Sequence, residues 1–302
     1  MEVEEEEQRV AGALGVLAKV TNVRLVQNML KAVSLPDHDE TTFMFKDAGL
    51  KVTTEDAKSF QANAYFQRCH FHEFKLADDK LEYNFKISMP TVLECLHLFG
   101  SSSGLLRSSS TSSHSSLFGG GSALTTLIIH YEKYGEPLKM FMEEDGVVSK
   151  AEIPTQDYDE PLQFDFCPPN VIAKVVFVSE YTKDVFSDLD FSSEFLEMTF
   201  NKNEKIYGLT TNGLTGEIII SIPDYSETIQ IFETEKNFKA KYRMSYLKNA
   251  LKAMPLSEKL SIRVDKRYFI CLQYMISLPE GNMYLEYFLA PQETTDDEQY
   301  ED

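Results

Sequence analysis

The stretch YLEYFLAP, Tyr284 to Pro291, reads as a β-strand by its aromatic content and its alternation, yet it stops at Ala-Pro and is followed by the acidic end QETTDDEQYED. Successive side chains on a strand point to opposite faces. Glu286 marks the outward side, so Tyr284 and Phe288 are expected to point outward while Leu285, Tyr287 and Leu289 point to a core. The stretch is read as both the closing strand of a folded unit and a candidate surface beside a disordered tail.

Strand signals dominate the rest of the chain. TTFMFKDAGLKVTT and KIYGLTTNGLTGEIIISI each carry two β-rich runs around a Gly-containing turn. Further runs follow at FQANAYFQ, KLEYNFKIS, ALTTLIIHYEK, PLKMFMEED, FLEMTF, KLSIRVD and YFICLQYMI. Four segments break that rhythm. Asn22 to Ser34 places Val23, Val26, Leu30 and Val33 on one helical stripe. Pro90 to Phe99 groups Val92, Leu93, Leu96 and Phe99, with proline at the start. Ser245 to Met254 puts Leu247, Leu251 and Met254 on one side and stops at Pro255. The fourth begins at Pro169: VIAKVVFV is β-branched and fits a strand equally well, but the Pro-Pro-Asn entry and its place in the chain order favour a helix. The order strand, helix, several strands, helix, several strands then occurs twice, which points to an internal duplication joined by the acidic, proline-bounded IPTQDYDEPLQ.

Composition bounds the function. The 302 residues carry a formal net charge of -19, which opposes indiscriminate nucleic-acid binding but leaves room for a local basic surface. The start MEVEEEEQRV is acidic where a secretory signal would be basic, and no apolar run approaches membrane-spanning length, so an intracellular protein is expected. Cys69, Cys95, Cys167 and Cys271 form no CxxC pair and are read as small buried hydrophobes. CHFHEF places His70 and His72 on one face of an expected strand, too few ligands for a metal site. The serine-rich stretch from Ser101 to Ser122 is a low-complexity insertion, either a bland solvated loop or a phosphorylation target. Its Gly-Gly-Gly-Ser lacks the Gly-Lys-Ser/Thr of a phosphate-cradling loop.

Three features carry the functional reading. On the first helix Arg24, Gln27, Asn28 and Lys31 share a narrow arc opposite the apolar stripe. Ser245, Lys248, Asn249 and Lys252 repeat that spacing on the last. Two such faces in so acidic a chain fit phosphate contact as well as they fit ordinary solvated faces. Lys174 is a further candidate, whereas the second helix offers Thr91, Glu94 and His97. The second feature is apolar residues on outward strand faces. Tyr65 lies with Gln61, Asn63 and Gln67, Met275 with Gln273, and Tyr284 and Phe288 with Glu286. Met275 and Tyr284 sit on consecutive strands and are plausible neighbours, while pattern alone does not place Tyr65. The third is GEIIISIP together with GVVSKAEIP, which read either as free edges covered by a partner strand or as buried central strands. The carboxylates of DYDE and DLD suit metal-dependent hydrolysis by a nuclease in type, yet neither comes with a His or Lys in helpful spacing.

KAMPLSEKLSIRVDKRYFICLQYMI and YLEYFLAP resemble the closing region of the DNA sliding clamps typified by the proliferating cell nuclear antigen, where a helix ends in Lys-Ala-x-Pro-Leu-Ser and the last strand in Leu-Ala-Pro. VQNMLKAV, GLKVTTEDAKSFQANAYFQ, LECLHLFGSS, EPLKMFMEEDGVV, FDFC and LQYMI are similar to the Rad-one family of checkpoint clamp subunits. The resemblance runs from about Gly15 to Pro291. It implies an α+β fold of two similar clamp domains, each with two helices packed on antiparallel sheets. The expected division is a disordered acidic tail 1–12, domain one 13–154, a connector 155–162, domain two 163–291 and an acidic tail 292–302.

The resemblance further implies a nuclear, non-enzymatic subunit without cofactor or metal. It would assemble with Rad-nine-like and Hus-one-like relatives into the heterotrimeric nine-one-one ring. A clamp loader would place that ring around double-stranded DNA at damage, where it holds repair enzymes and checkpoint mediators. Arg24, Lys31, Lys174, Lys248 and Lys252 would line the DNA channel, with Gln27, Asn28 and Asn249 beside them. Val147, Val148 and Ile153 with Glu217, Ile218, Ile219 and Ile220 would form the subunit edges. Leu50, Tyr65, Met275, Tyr284, Phe288 and Pro291 would dock partners. A homotrimeric replication clamp is the remaining alternative.

Overall fold

The computed structural model describes residues 15–36, 38–100, 125–144 and 147–296. It separates into two compact units, the first holding residues to Val52 and Tyr65–Glu160, the second Thr53–Ala64 and the chain from Pro161. The serine-rich insertion and the N-terminal tail lie outside the described residues.

Element order shows the duplication directly. The first series runs β1 (Val16–Val20), α1 (Val23–Val33), β2 (Glu40–Lys46), β3 (Gly49–Asp56), β4 (Phe60–Gln67), β5 (Glu73–Leu76), β6 (Tyr83–Ser88), α2 (Met89–Gly100), β7 (Thr126–Tyr131), β8 (Leu138–Glu144) and β9 (Val147–Ile153). A two-residue strand, β10 (Thr155–Gln156), follows. The second series is β11 (Val171–Val178), α3 (Ser179–Ser187), β12 (Phe195–Asn201), β13 (Ile206–Gly213), β14 (Gly216–Pro223), β15 (Ile229–Thr234), β16 (Phe238–Arg243), α4 (Met244–Ala250), β17 (Lys259–Asp265), β18 (Ile270–Leu278) and β19 (Gly281–Leu289), with β20 (Glu293–Asp296) after it. Each series is thus strand, helix, five strands, helix, three strands, as the sequence pattern leads one to expect.

In the first unit one sheet runs β5-β1-β7-β8-β9, and β10-β6-β2-β3 form a second. The second unit repeats this with β14-β13-β12-β16-β20 and with β19-β18-β17-β11-β15. The tip of the β3–β4 hairpin belongs to the second unit, where β4 lies beside β19 and the Ala290 N–H donates to the Ser59 carbonyl at 2.8 Å. Pairing is antiparallel in both units, as in β1–β7, β13–β14 and β18–β19, which lets one sheet face pack while the other meets solvent.

The helices form for local reasons and are kept by packing. The Asn22 side chain caps α1 by accepting from the Leu25 N–H at 3.1 Å. Val23, Val26, Leu30 and Val33 of α1 are all buried, each worth about 1.5–3 kcal/mol of transfer free energy. The apolar faces of α1 and α2 close over a small cavity lined by Val26, Leu30, Leu50, Val92, Leu96 and Leu138. In the second unit Tyr207, Tyr242, Tyr274 and Tyr287 are fully buried among Phe177, Phe200 and Phe238.

Several expectations are corrected. VIAKVVFV is strand β11, entered by a 3-10 turn at Pro168–Asn170, and the helix is the following SEYTKDVFS. Its β-branched content outweighs the helical start signal, because the strand is paired on both sides by β15 and β17. The last helix passes from α4 into a 3-10 segment, Leu251–Leu256, that contains Pro255 rather than stopping there. Arg68–His70 is a 3-10 turn, so His70 and His72 do not share a strand face. Cys69 and Cys167 are exposed, Cys95 is half-buried, and only Cys271 is a buried cysteine. The acidic end begins as structure, since Gln292 donates to the Lys241 carbonyl at 2.8 Å and Glu293–Asp296 pair with β16.

Gly49 opens β3 with φ +131°, and a Cβ there would overlap the Phe66 carbonyl. Gly49→Ala is therefore expected to cost about 2 kcal/mol or more. A thermal melt of the purified chain should show a midpoint lowered by roughly 5 °C; an unchanged midpoint would mean that the β3–β4 base tolerates the side chain.

Candidate nucleic-acid interface

The two helices with ordered polar faces keep them in the structure. On α1, Arg24 and Lys31 are exposed and Gln27 and Asn28 half-buried, opposite the buried stripe. On α4 and its 3-10 extension Ser245, Lys248 and Lys252 are exposed and Asn249 is half-buried. Partial burial lowers the Lys252 pKa from the ordinary lysine value. The Lys248 ammonium lies 5.8 Å from the centre of the Phe191 ring. Neither segment, Val23–Val33 nor Met244–Leu256, contains an acidic residue, in a chain whose net charge is -19.

Lys174 does not belong to this set. It lies on β11, opposite Glu233 of β15 and Arg263 of β17, so a helical role for it is excluded. The cation that the helix after β11 does carry is Lys183, exposed beside Glu180 and Asp184. Reading β11 as a helix hides it; the signal is the spacing of Ser179, Thr182 and Phe186, all buried. Cationic faces therefore belong to the first helix of one series and the second helix of the other, while α2 exposes Thr91, Glu94 and His97.

The two aliphatic strands are edges. β9 and β14 each end a five-stranded sheet, which removes the buried central-strand reading. Their exposure patterns match residue for residue, from two exposed residues at the start to a buried isoleucine. Val147, Val148, Glu217 and Ile219 are exposed, Ile218 and Ile220 half-buried, and Ile153 is turned into the core. Among the described residues no strand pairs with the outer side of either edge, and its row of backbone N–H and C=O groups is a template for another strand.

The outward face of β17, β18 and β19 is built differently from the sequence expectation. Met275 and Tyr284 are direct cross-strand partners and half-buried. Leu285, Tyr287 and Leu289 are fully buried, as alternation requires. Phe288 does leave on the outward side, but it is covered. Phe164 stacks on it at 4.6 Å and 10°, and Phe166 lies 5.4 Å away. The Arg263 guanidinium lies 5.8 Å from the Phe166 ring centre. This strap also reaches the polar face of β4, where Gln61 donates to the Leu162 carbonyl at 2.9 Å and to Glu55 at 2.7 Å, while buried Asn63 accepts from Thr53 of β3 at 2.7 Å. Leu50 lines the cavity of the first unit and is not a surface residue. Tyr65 is half-buried under the Lys51 ammonium, and Pro291 is half-buried.

The carboxylate clusters are committed to structure. Asp157 accepts from the Tyr134 hydroxyl at 2.5 Å and Asp159 pairs with Lys86 at 2.8 Å. Asp190 accepts from Ser192 and Thr215, and those hydrogen bonds hold its carboxyl well below the usual carboxylate range. Among the described residues no group of three or more His, Cys, Asp or Glu is arranged to hold a metal.

Comparison with known proteins converges on one family. Residues 16–276 match the family described as "Repair protein Rad1/Rec1/Rad17". The chain is 38% identical over 278 residues to "Cell cycle checkpoint protein RAD1" of Homo sapiens, covering 92% of each chain. It is 27% identical over 275 residues to "Cell cycle checkpoint protein RAD1 homolog mrt-2" of Caenorhabditis elegans, covering 90% of this chain and 93% of that one. It is also 27% identical over 139 residues to a "DNA polymerase sliding clamp" of Thermococcus fumicolans, covering 46% of this chain and 53% of that one.

The strap makes a chemical prediction. Cys271 is fully buried beside Arg263 and opposite Phe288, and burial pushes its thiol pKa up to about 12. Replacing Phe164 and Phe166 together by Ala should raise alkylation of Cys271, followed by peptide mass spectrometry, by an order of magnitude or more, with exposed Cys69 unchanged as the internal reference. Equal protection of Cys271 in the variant would show that the strap is not its cover.

Proposed function

The chain belongs to the Rad1/Rec1/Rad17 family of repair proteins, and from that premise we propose that it is one non-catalytic subunit of a heterotrimeric checkpoint clamp. The ring closes around double-stranded DNA, with Rad-nine-like and Hus-one-like chains as the other two subunits. A clamp loader places it at damage sites in the nucleus. It binds DNA without reading sequence and holds repair enzymes and checkpoint mediators there.

The observation that carries this reading is the place of the two open edges in the duplicated chain. β4 is the third of five strands in the first series and β19 the last of three in the second, and these two are neighbours in one sheet. Their counterparts are β14, third of five in the second series, and β9, last of three in the first. Both are edges. A chain that joins its own β4 to β19 and presents a free β14 and a free β9 is suited to repeat that junction with other chains. Repetition of one head-to-tail junction that closes on itself gives a ring.

Charge supports the same conclusion. Arg24, Lys31, Lys248 and Lys252 stand on segments without acidic residues, and contact between such helices and phosphates fixes position without reading bases. An acidic exterior then confines DNA to the basic helices.

Lys248→Glu combined with Lys252→Glu tests the DNA role. In the assembled ring, retention on closed circular DNA should fall by about tenfold or more at moderate salt, and the slope of log affinity against log salt should flatten by roughly one for each phosphate that no longer meets a lysine. Ring formation should be unaffected. Retention and slope equal to those of the unaltered ring would remove α4 from the DNA interface.

A further inference from the structure

Pairing through backbone groups alone is indifferent to a slip of two residues, which keeps every side chain on its own face. Inside the chain the register of β4 on β19 is set within one folded unit, where the Ala290 N–H donates to the Ser59 carbonyl at 2.8 Å. At a junction between chains something else must set it.

Among the described residues the two most exposed large apolar side chains are Leu214, 93% exposed, and Tyr225, 87% exposed. They stand at opposite ends of β14, one just before Gly216 and one just after Pro223. Ile219, 64% exposed, lies between them on the strand. Scattered exposed hydrophobes need no explanation, but this pair brackets an unpaired edge.

Both residues are held on braced turns. The Leu214 N–H donates to the Ser192 hydroxyl at 2.8 Å, and the Thr215 N–H and hydroxyl donate to Asp190 at 3.0 and 2.5 Å. Gly213 lies so close that a Cβ would meet Asp190 Oδ2 and Ser192 Oγ at 2.5 Å. At the other end the Ser226 N–H donates to the Pro223 carbonyl at 3.0 Å, the Asp224 N–H donates to the Lys205 carbonyl at 2.9 Å, and Lys205 and Asp224 pair at 3.5 Å. Hydrogen bonds fix the backbone of each turn while leaving its apolar side chain in water.

The duplicated junction supplies the contrast. The turn before β4 is Ala57-Lys58-Ser59, with Ala57 and Lys58 exposed, and the two residues after β4 are Arg68 and Cys69, both exposed and neither a large apolar side chain. Neither end of the internally paired strand carries an apolar side chain of this kind. Of these two corresponding strands, β14 has them.

We infer that Leu214 and Tyr225 are paired anchors that grip the two ends of a strand added to β14 and thereby fix its register and its identity. This rests on the edge-to-edge reading above and specifies its occupant: a β9-like strand of a related clamp subunit. The eight residues of β14 span roughly 26 Å at about 3.3 Å per residue. The incoming segment must match that length and offer an apolar recess near each end. A related strand without those recesses pairs weakly, so the anchors discriminate between subunits that share the same backbone geometry.

The test uses the full chain co-expressed with its two related subunits. Leu214→Ser and Tyr225→Ser should each weaken ring assembly by about tenfold, measured by native mass spectrometry across a dilution series, with the melting midpoint of the isolated chain unchanged. Leu214→Met and Tyr225→Phe should restore assembly. A photo-crosslinking amino acid at Ser221 should label one partner position in the unaltered ring and spread to positions two residues away in the double serine variant. Ile219→Asp serves as the control for the edge itself. If it disrupts assembly while the double serine variant assembles with unaltered affinity and a single crosslink, the anchors are overturned and the edge reading stands. If none of the three substitutions matters, both fall. Self-association of the isolated chain that depends on Leu214 and Tyr225 would make the occupant a second copy and overturn the related-subunit assignment.

Discussion

An antiparallel sheet cannot end without leaving one row of backbone donors and acceptors unpaired, and in this protein that requirement organises the rest. The duplicated series gives each half two strands that need a neighbour, β4 and β9 in the first and β14 and β19 in the second. One pair of these needs is met internally, where β4 lies beside β19. The other pair, β9 and β14, remains open with aliphatic side chains along it. Soluble proteins usually blunt such edges with lysine, proline or a bulge. β14 carries only Glu217 as a charge and a run of three isoleucines, which is the composition of a strand meant to be covered.

Charge is distributed to agree with that assembly. A chain of net -19 would repel DNA from most of its surface, yet α1 and the α4 segment carry four cations and no acid. The carboxylates that invite a metal-centred mechanism are tied into turns and the connector by Tyr134, Lys86, Ser192 and Thr215. The same Asp190 that a nuclease would need is the brace behind Leu214. Asp157, Asp159 and Asp190 are each held by these structural contacts.

Much of this is legible in the sequence because it rests on periodicity. The stripes of α1, the closing strand with Leu285, Tyr287 and Leu289 inside, and the doubled element order all follow from local spacing. Leu214 and Tyr225 escape such a reading because turn residues have no period, and their significance appears only once β14 is known to be an edge. Phe288 shows the limit differently. Alternation assigns it the outward side correctly, but an outward side chain is exposed only if nothing crosses it, and Phe164 and Phe166 do. Gln61 and Asn63 mislead for the same reason. Polar residues ordinarily mark solvent, whereas here Gln61 donates to the strap's Leu162 carbonyl and Asn63 donates to Gln61. β11 is ambiguous because Pro-Pro-Asn is a helix-entry signal and a strand-entry turn alike, and only pairing with β15 and β17 decides between them.

The most direct test of the account is amide hydrogen exchange on the chain alone and in the assembled ring. Residues 147–153 and 216–223 should be among the fast-exchanging strands in the isolated protein and should slow by about a hundredfold or more on assembly, as expected for backbone groups that gain strand partners. β12 and β18, paired on both sides already, should change little. A ring that forms while both edges continue to exchange at the rate of the isolated chain would contradict the claim that β9 and β14 are where the subunits join.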